Sequence, residues 1–217
     1  MIQLTILIMN KLVLASTSIY RRQLLEKLGI PFQTMKPHFD EDLAKQSCLA
    51  QKKTPLEIAE HLSIQKGQST WRQLFQEQPI LALDPNHTLI ISGDQLVSFQ
   101  GQILGKSGDF TTALQQLQSL SGQTHELITS VTLLSQNEKR HLNHVTRLQM
   151  KKLKKSEIEH YLKKDEPYDC AGSYKIEQSG LILFEKIDCD DFSAIQGLPL
   201  IWISNQLQEL NYEFFQR

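Results

Sequence analysis

Cysteine is scarce in this sequence: Cys48, Cys170 and Cys189 lie far apart, are odd in number and form no CxxC pair. That excludes a zinc ribbon or a redox dithiol, and free thiols of this kind point to a reducing, cytoplasmic setting. An excess of one charge is lacking as well, because 23 Lys and Arg stand against 24 Asp and Glu, a formal net charge of −1. Such a balance predicts no nucleic acid polymer as partner, while a local basic pocket for one small anionic ligand stays compatible with it. The apolar opening MIQLTILIMN is too short to cross a membrane and has neither a basic n-region nor a small-residue cleavage site, so no membrane partner is expected. Internal repeats and low-complexity tracts are absent. So are a GxxxxGK[ST] phosphate loop and a nucleophile elbow, which removes the Walker-type and Ser-His-Asp chemistries.

What remains is an ordinary globular composition over 217 residues, 40% hydrophobic and 22% charged, enough for one domain or two small lobes sharing a cleft. Met9 sits just before Asn10-Lys11, where the first convincing strand begins, and is the expected natural start, with the residues before it an added stretch and Met9-Asn10 a short lead into the strand. Residues 1–10 are therefore expected to be an N-terminal extension and residues 11–217 a single domain.

Residues 11–15 (KLVLA) read as a buried strand that runs straight into Ser16-Thr17-Ser18. Leu24, Leu25 and Leu28 then recur at helical spacing, and Gly29 with Pro31 stops the helix. Thr54-Pro55-Leu56-Glu57 combines an N-cap, a first-turn proline and a capping-box glutamate. Ala59, Leu62 and Lys66 continue that helix toward Leu74-Phe75, with Gly67 its expected weak point. Residues 88–92 (TLIIS) form a second buried strand expected to end at Gly93-Asp94-Gln95, followed by a separate extended run from Leu96 to Phe99. A helix capped near Asp109 carries Ala113, Leu114, Leu117 and Leu120 on one face. Strands are predicted over 125–134, 144–150 and 181–187, a capping box at Ser156, and a last helix begun by Pro199. The alternation predicts an α/β class: a mixed twisted sheet with flanking helices and two lobes around a central cleft.

Several polar positions can carry chemistry, and each also has a plainer explanation. At the strand-to-helix turn Ser16-Thr17-Ser18, free N–H groups and the helix dipole favour an anion, with Arg21 and Arg22 as additional donors. A capped helix with solvated arginines fits the same residues. Asp94, after a buried strand, suits a divalent cation or a water to be oriented, or is simply a turn aspartate. Lys106 and Lys66 read either as phosphate partners or as surface lysines. His141-x-x-His144 has no third ligand close in sequence and is set aside as a metal motif. Together, an anion turn, several cations and one or two carboxylates suit metal-assisted hydrolysis of a phosphoanhydride better than acyl transfer.

The same residues carry a resemblance. Residues 14–25 (LASTSIYRRQLL) resemble the signature LAS-x-S-P-x-R-R-x-LL of the Maf-like nucleotide pyrophosphatases. Phe39-Asp40-Glu41, Ile90 to Gln95 (IISGDQ), Ile103 to Lys106 (ILGK), Ser121 to His125 (SGQTH), Cys170 to Lys175 (CAGSYK) and Gly197 to Leu200 (GLPL) resemble further family steps in the same order. The resemblance implies a hydrolase that cleaves between the α- and β-phosphates of a small-molecule nucleotide with a divalent metal cation, Mg²⁺ or Mn²⁺. Members are often homodimers. It also implies Asp94 as acceptor of the attacking water's proton and Glu41 with Asp94 as metal ligands. Ser16, Arg21, Lys66 and Lys106 would bind the phosphate chain, with Arg22 as a helper. Tyr20 where many members have arginine, Gln95 in place of threonine and Glu177 in place of glutamine resemble the subgroup that hydrolyses 7-methyl-GTP. An aromatic face attracts the cationic methylated base, by about 0.5–2 kcal/mol, and a carboxylate at Glu177 suits the guanine N1 and N2 donors. A dTTP or UTP pyrophosphatase and a non-enzymatic regulator of septum formation are the alternatives. Ile19 for proline, Ser92-Gly93 for Gly-Ser and Ser107 for proline depart from the family pattern.

Overall fold

The computed structural model of the protein describes residues 11–77 and 83–214; the expected extension at residues 1–10 lies outside the described residues. Strand β1 (Lys11–Ala15) turns through Ser16-Thr17-Ser18 into helix α1 (Ile19–Glu26), and β2 (Phe32–Met35) returns parallel to β1. Helices α2 (Glu41–Ala50) and α3 (Pro55–Arg72) follow, and α3 widens into a π turn over Gln73–Glu77. The long strand β3 (Thr88–Phe99) runs parallel to β1 and antiparallel to the short β4 (Gln102–Leu104). Beyond α4 (Phe110–Leu120), strands β5 (Thr124–Leu134) and β6 (Lys139–Met150) form an antiparallel hairpin. Helix α5 (Lys155–Asp165), strand β7 (Phe184–Asp188) and helices α6 (Phe192–Ile195) and α7 (Leu200–Glu209) complete the chain.

The strand order is β2-β1-β3-β5-β6-β7, with β4 on one end of β3, so the predicted mixed sheet with flanking helices is the architecture. Alternation along the strands sets the two faces. Leu12, Leu14, Leu89, Ile91, Val131 and Leu133 pack on Leu24 and Leu25 of α1 and on Ile203 and Leu207 of α7. On the opposite face Leu96 and Ile128 meet Ile58, Ala59 and Leu62 of α3. A third cluster joins Val97, Leu127 and Leu148 to Leu117 and Leu120 of α4 and Ile158 and Leu162 of α5. Each fully buried leucine of this kind contributes about 1.5–3 kcal/mol.

Local signals in the sequence are realised in detail. Ser18 caps α1, Asp109 caps α4, and Thr54 and Glu57 bond reciprocally at the start of α3. Other expectations are corrected. Residues 88–92 and 96–99 are one strand, because Gly93, Asp94 and Gln95 stay paired with Val131, Ser130 and Thr129 of β5. Strand β6 begins at Lys139 rather than His144, since Ser135 N–H bonds to Glu138 O at 3.0 Å and closes a tight hairpin. The cap of α5 is Lys154, whose N–H donates to Glu157 Oε2 at 2.6 Å, rather than Ser156. Residues 180–183 are a 3₁₀ turn, so β7 starts only at Phe184.

Gly67 is not a weak point of α3 but its closest approach to the sheet. A Cβ there would lie 2.8 Å from Ser92 Oγ, which itself donates to Ser63 O at 2.8 Å. The reversed Ser92-Gly93 order thus has a structural partner in Gly67. Gly67→Ala is expected to destabilise the protein by about 1–2 kcal/mol, although alanine favours an isolated helix by about 1 kcal/mol. In a Ser92→Ala background the same change is expected to be neutral or stabilising. Urea unfolding of the four proteins in this cycle checks the sign change; a stabilising Gly67→Ala in the wild type contradicts the packing account.

Candidate active site

Strand β3 is longer than its neighbours on one side. β1 covers it only as far as Ser92, and β4 resumes pairing at Val97. Between them Gly93 to Leu96 border a notch in the sheet, and a cavity of about 690 Å³ opens there. Its walls come from the β1–α1 turn, the loop between β2 and α2, α3, Lys106 after β4, and residues 169–177. Lys106 and Ala171 pair as an isolated bridge that ties two of these walls together.

Asp94 and Gln95 are successive residues on β3 and point to opposite faces. Gln95 turns toward α6, where its amide donates to Thr129 Oγ1 at 2.8 Å and to the carbonyls of Ala194 and Ile195 at 3.1 Å. Asp94 turns toward α3. It is 2% exposed, its Oδ1 accepts from Lys66 Nζ at 2.7 Å, and its Oδ2 is buried without a hydrogen-bond partner among the described residues. The row beside it is polar: Asp94, Ser130 and Asn143 lie opposite one another on β3, β5 and β6, and Ser130 Oγ donates to Asn143 Oδ1 at 2.7 Å.

Lys66 reaches this point because it shares one stripe of α3, spaced i, i+3, i+4 and i+7, with the buried Ser63, Gly67 and Thr70, its own side chain being only 12% exposed. Its ammonium also meets Glu41 Oε2 at 2.6 Å, so one cation bridges two carboxylates. Glu41 stands at the start of α2, which Asp40 caps through Leu43 N at 2.9 Å. Burial works to raise the Glu41 carboxyl, but the charge and hydrogen bond of Lys66, helped by Arg21 and Lys106, hold it below the ordinary range.

Ser16 Oγ accepts from Ser18 N at 3.1 Å, which shapes the turn at the N-terminus of α1. Ile19 takes the first helical position, where proline loses no internal bond and a different residue is readily accommodated. Arg21 Nε donates to Gly197 O at 3.1 Å. Gly197 has φ +108°, and a side chain there would press on Arg21 Nε at 3.1 Å, which accounts for glycine at this position. Burial lowers the proton affinity of Arg21, while Asp94 and Glu41 raise it; a guanidinium stays charged under both influences. Arg22 is about 100° further round the helix and bonds Glu26 at 3.0 Å on an outer surface, away from the cavity.

A second group of residues forms the far wall. The Tyr20 hydroxyl is raised by burial and by the charge of Glu177, with Lys175 opposing and Cys170 and Asp169 adding to the rise. Burial also raises the Glu177 carboxyl, against a hydrogen bond from its own backbone N–H and the charge of Lys175, although this residue stays open to solvent and screening limits the effect. Lys175 pairs with Asp169 at 3.0 Å. Burial and Asp169 push the Cys170 thiol up to about 12, which removes it as a nucleophile at neutral pH.

The cavity therefore gathers Ser16, Tyr20, Arg21, Glu41, Lys66, Asp94, Gln95, Lys106 and Glu177, and leaves Arg22 outside. Sequence reasoning did not single out Lys36, Asp169 or Gln196, which also line it; no local pattern marks a loop lysine before Pro37 as facing inward. His141 and His144 sit on opposite faces of β6: His141 bonds Thr132 Oγ1 at 2.9 Å on the α3 side, while His144 lies opposite Thr129 of the Gln95 side. They do not share an ion.

The Maf-like protein family matches residues 11–210 of this chain. The chain belongs to that family. Among curated relatives, a 7-methyl-GTP pyrophosphatase of Bdellovibrio bacteriovorus is 41% identical over 202 residues, covering 93% of this chain and 98% of the relative. Proteins of the same name from Xanthomonas axonopodis pv. citri and Aromatoleum aromaticum are 34% and 35% identical, over 94% and 92% of this chain and 99% and 95% of theirs. Ser16, Arg21, Glu41, Asp94 and Lys106, from the segments whose sequence resembles the family's motifs, all line one cleft of this structure.

Lys66→Met keeps the stem and deletes the charge, leaving buried Asp94 uncompensated. The expected loss of stability at pH 7 is about 3 kcal/mol. The carboxyl of Glu41 is depressed in the folded state, so the stability it contributes is present above the ordinary carboxylate range and disappears as pH falls through its lowered value. The difference between wild type and Lys66→Met should accordingly narrow under acid. Denaturant unfolding at pH 7 and at progressively lower pH measures it; a pH-independent gap contradicts the ion-pair account.

Proposed function

We propose that this Maf-like protein hydrolyses 7-methyl-GTP to 7-methyl-GMP and diphosphate. The observation that carries the reading is the buried Asp94 carboxylate, oriented by Lys66 through one oxygen and left with the other unpartnered in a cleft lined by further cations. The names of the relatives support the same substrate.

Glu41 and Asp94 are the residues suited to hold a divalent cation, Mg²⁺ or Mn²⁺. Both offer hard oxygen donors, and Asp94 Oδ2 is a buried acceptor in need of a partner. No cluster of three His, Cys, Asp or Glu suited to a metal occurs among the described residues. The remaining ligands would be substrate phosphates and water, as Mg²⁺ favours. Such an ion, when bound, polarises phosphate oxygens and neutralises their charge.

The chain's own groups supply the rest. Asp94 accepts the proton of the water that attacks the α-phosphorus, as the bond from that phosphorus to the bridging oxygen breaks. Lys66 fixes the orientation of this carboxylate and balances its charge. Arg21, Lys106 and the N–H groups of the Ser16-Thr17-Ser18 turn offset the charge that develops on the departing diphosphate. At the other end, the Tyr20 ring offers its face to the cationic methylated base, and Glu177 accepts from N1 and N2. No helix among the described residues is long and apolar enough to span a membrane, and three free cysteines suit a reducing cytoplasm.

Asp94→Asn preserves shape and removes the base; diphosphate release is expected to fall by about 10²–10⁴ in kcat, with the fold retained because Lys66 keeps Glu41 as its partner. Assays of 7-methyl-GTP, GTP, dTTP and UTP with Mg²⁺ and with Mn²⁺ test the substrate. Tyr20→Ala should lose roughly tenfold in kcat/KM for 7-methyl-GTP relative to GTP. Preference for the pyrimidine nucleotides in the wild type would sink the 7-methyl-GTP reading, and undiminished release by Asp94→Asn would sink the hydrolytic one.

A further inference from the structure

The cations of the cleft are unequally available. Lys66 is taken up by Glu41 and Asp94, a set that is net negative by one charge. Arg21 already donates through Nε to Gly197 O and is drawn toward the same two carboxylates. A nucleoside triphosphate brings several negative charges, and its departing diphosphate keeps most of them. Lys106 is exposed on one wall. On the loop between β2 and α2, Lys36 is likewise exposed and lines the cavity, and it forms no ion pair with any carboxylate among the described residues.

The backbone that carries Lys36 is tethered from below. Gln73, only 7% exposed at the start of the π turn, donates through Nε2 to Lys36 O at 3.2 Å and accepts from His38 N–H at 3.0 Å. Ser69 Oγ donates to His38 O at 2.7 Å. Buried side chains thus hold both sides of Pro37 in place, on a loop whose Lys36, Pro37 and Phe39 line the cavity. The same loop leads within five residues to Glu41, at the carboxylate end of the cleft. The groups that act on Tyr20 are a different set, Glu177, Lys175, Cys170 and Asp169.

We propose that Lys36 is a further substrate-binding residue of this chain, receiving the terminal phosphates of the nucleotide and then the diphosphate as it departs. This rests on the hydrolase reading above and assigns the terminal-phosphate end of the same cleft. An ammonium on a tethered loop is a point charge suited to a non-bridging phosphate oxygen, and its flexible stem follows the leaving group as it separates. Binding of this kind weakens with added salt.

The test compares wild type, Lys36→Ala and Lys36→Arg for inhibition by inorganic diphosphate and by 7-methyl-GMP. Lys36→Ala is expected to weaken diphosphate inhibition roughly tenfold and to flatten its salt dependence, with 7-methyl-GMP inhibition changed less than about twofold. Lys36→Arg should restore most of the loss. Because the side chain is exposed, thermal unfolding of all three proteins should coincide. Equal diphosphate inhibition in wild type and Lys36→Ala overturns the assignment, as does a loss shared equally by 7-methyl-GMP. If the wild type hydrolyses 7-methyl-GTP while Lys36 proves silent, only this inference falls; if the wild type hydrolyses no nucleotide, the functional reading falls with it.

Discussion

A carboxylate buried in the middle of a sheet is tolerated only if a cation meets it, and the ion pair between Asp94 and Lys66 is the constraint from which the rest of the structure follows. Removing one partner of such a pair costs several kcal/mol, because the survivor stays buried and unbalanced. Lys66 must therefore lie on the sheet-facing stripe of α3, and α3 must press close enough for its ammonium to reach Asp94 Oδ1 at 2.7 Å. Gly67 permits that approach by leaving room for the Ser92 hydroxyl. Ser63, Ser92, Thr132 and the Asp94-Ser130-Asn143 row keep the interface polar where a wholly apolar core would leave the ion pair unsupported.

The sheet supplies the opening. β1 stops at Ala15, β4 begins its pairing at Val97, and β3 passes between them as the bordering strand of a notch. Both faces of β3 contribute there: Asp94 from one and Gln95 from the other. A strand end would have offered only a flexible turn. A strand interior held by β5 presents its carboxylate in a fixed direction, which is what a group poised to take a proton requires. The N-terminus of α1 lines the same cavity and adds dipolar donors.

Charge is sorted along the cleft. Arg21, Lys66 and Lys106 cluster with Glu41 and Asp94 at one end, whereas Glu177, Asp169 and Lys175 surround Tyr20 at the other. The first end suits a chain of phosphates accompanied by a divalent cation. The second, with an aromatic ring and a net negative charge, suits a base that is itself cationic. A polarity of this kind discriminates by charge as well as by hydrogen bonds, and a pyrimidine base brings no positive charge to the negative end.

Sequence alone determined the elements whose causes are local. The caps at Ser18, Thr54 and Asp109, the apolar spacing of α1, α3 and α4, and the order of the family motifs were legible because each depends on residues a few positions apart. Tertiary structure decided what depended on distant partners. Asp94 lies within a strand because β5 pairs through it. Arg21 enters the cleft while Arg22 leaves it, because α1 packs in one rotation. Gly67 is a contact rather than a flaw because Ser92 stands opposite, and Lys36 lines the cleft on a loop that Gln73 holds. A hydrogen-bonded turn carries its own explanation in sequence; a side chain's direction and neighbours arise only when remote segments compete for the same space.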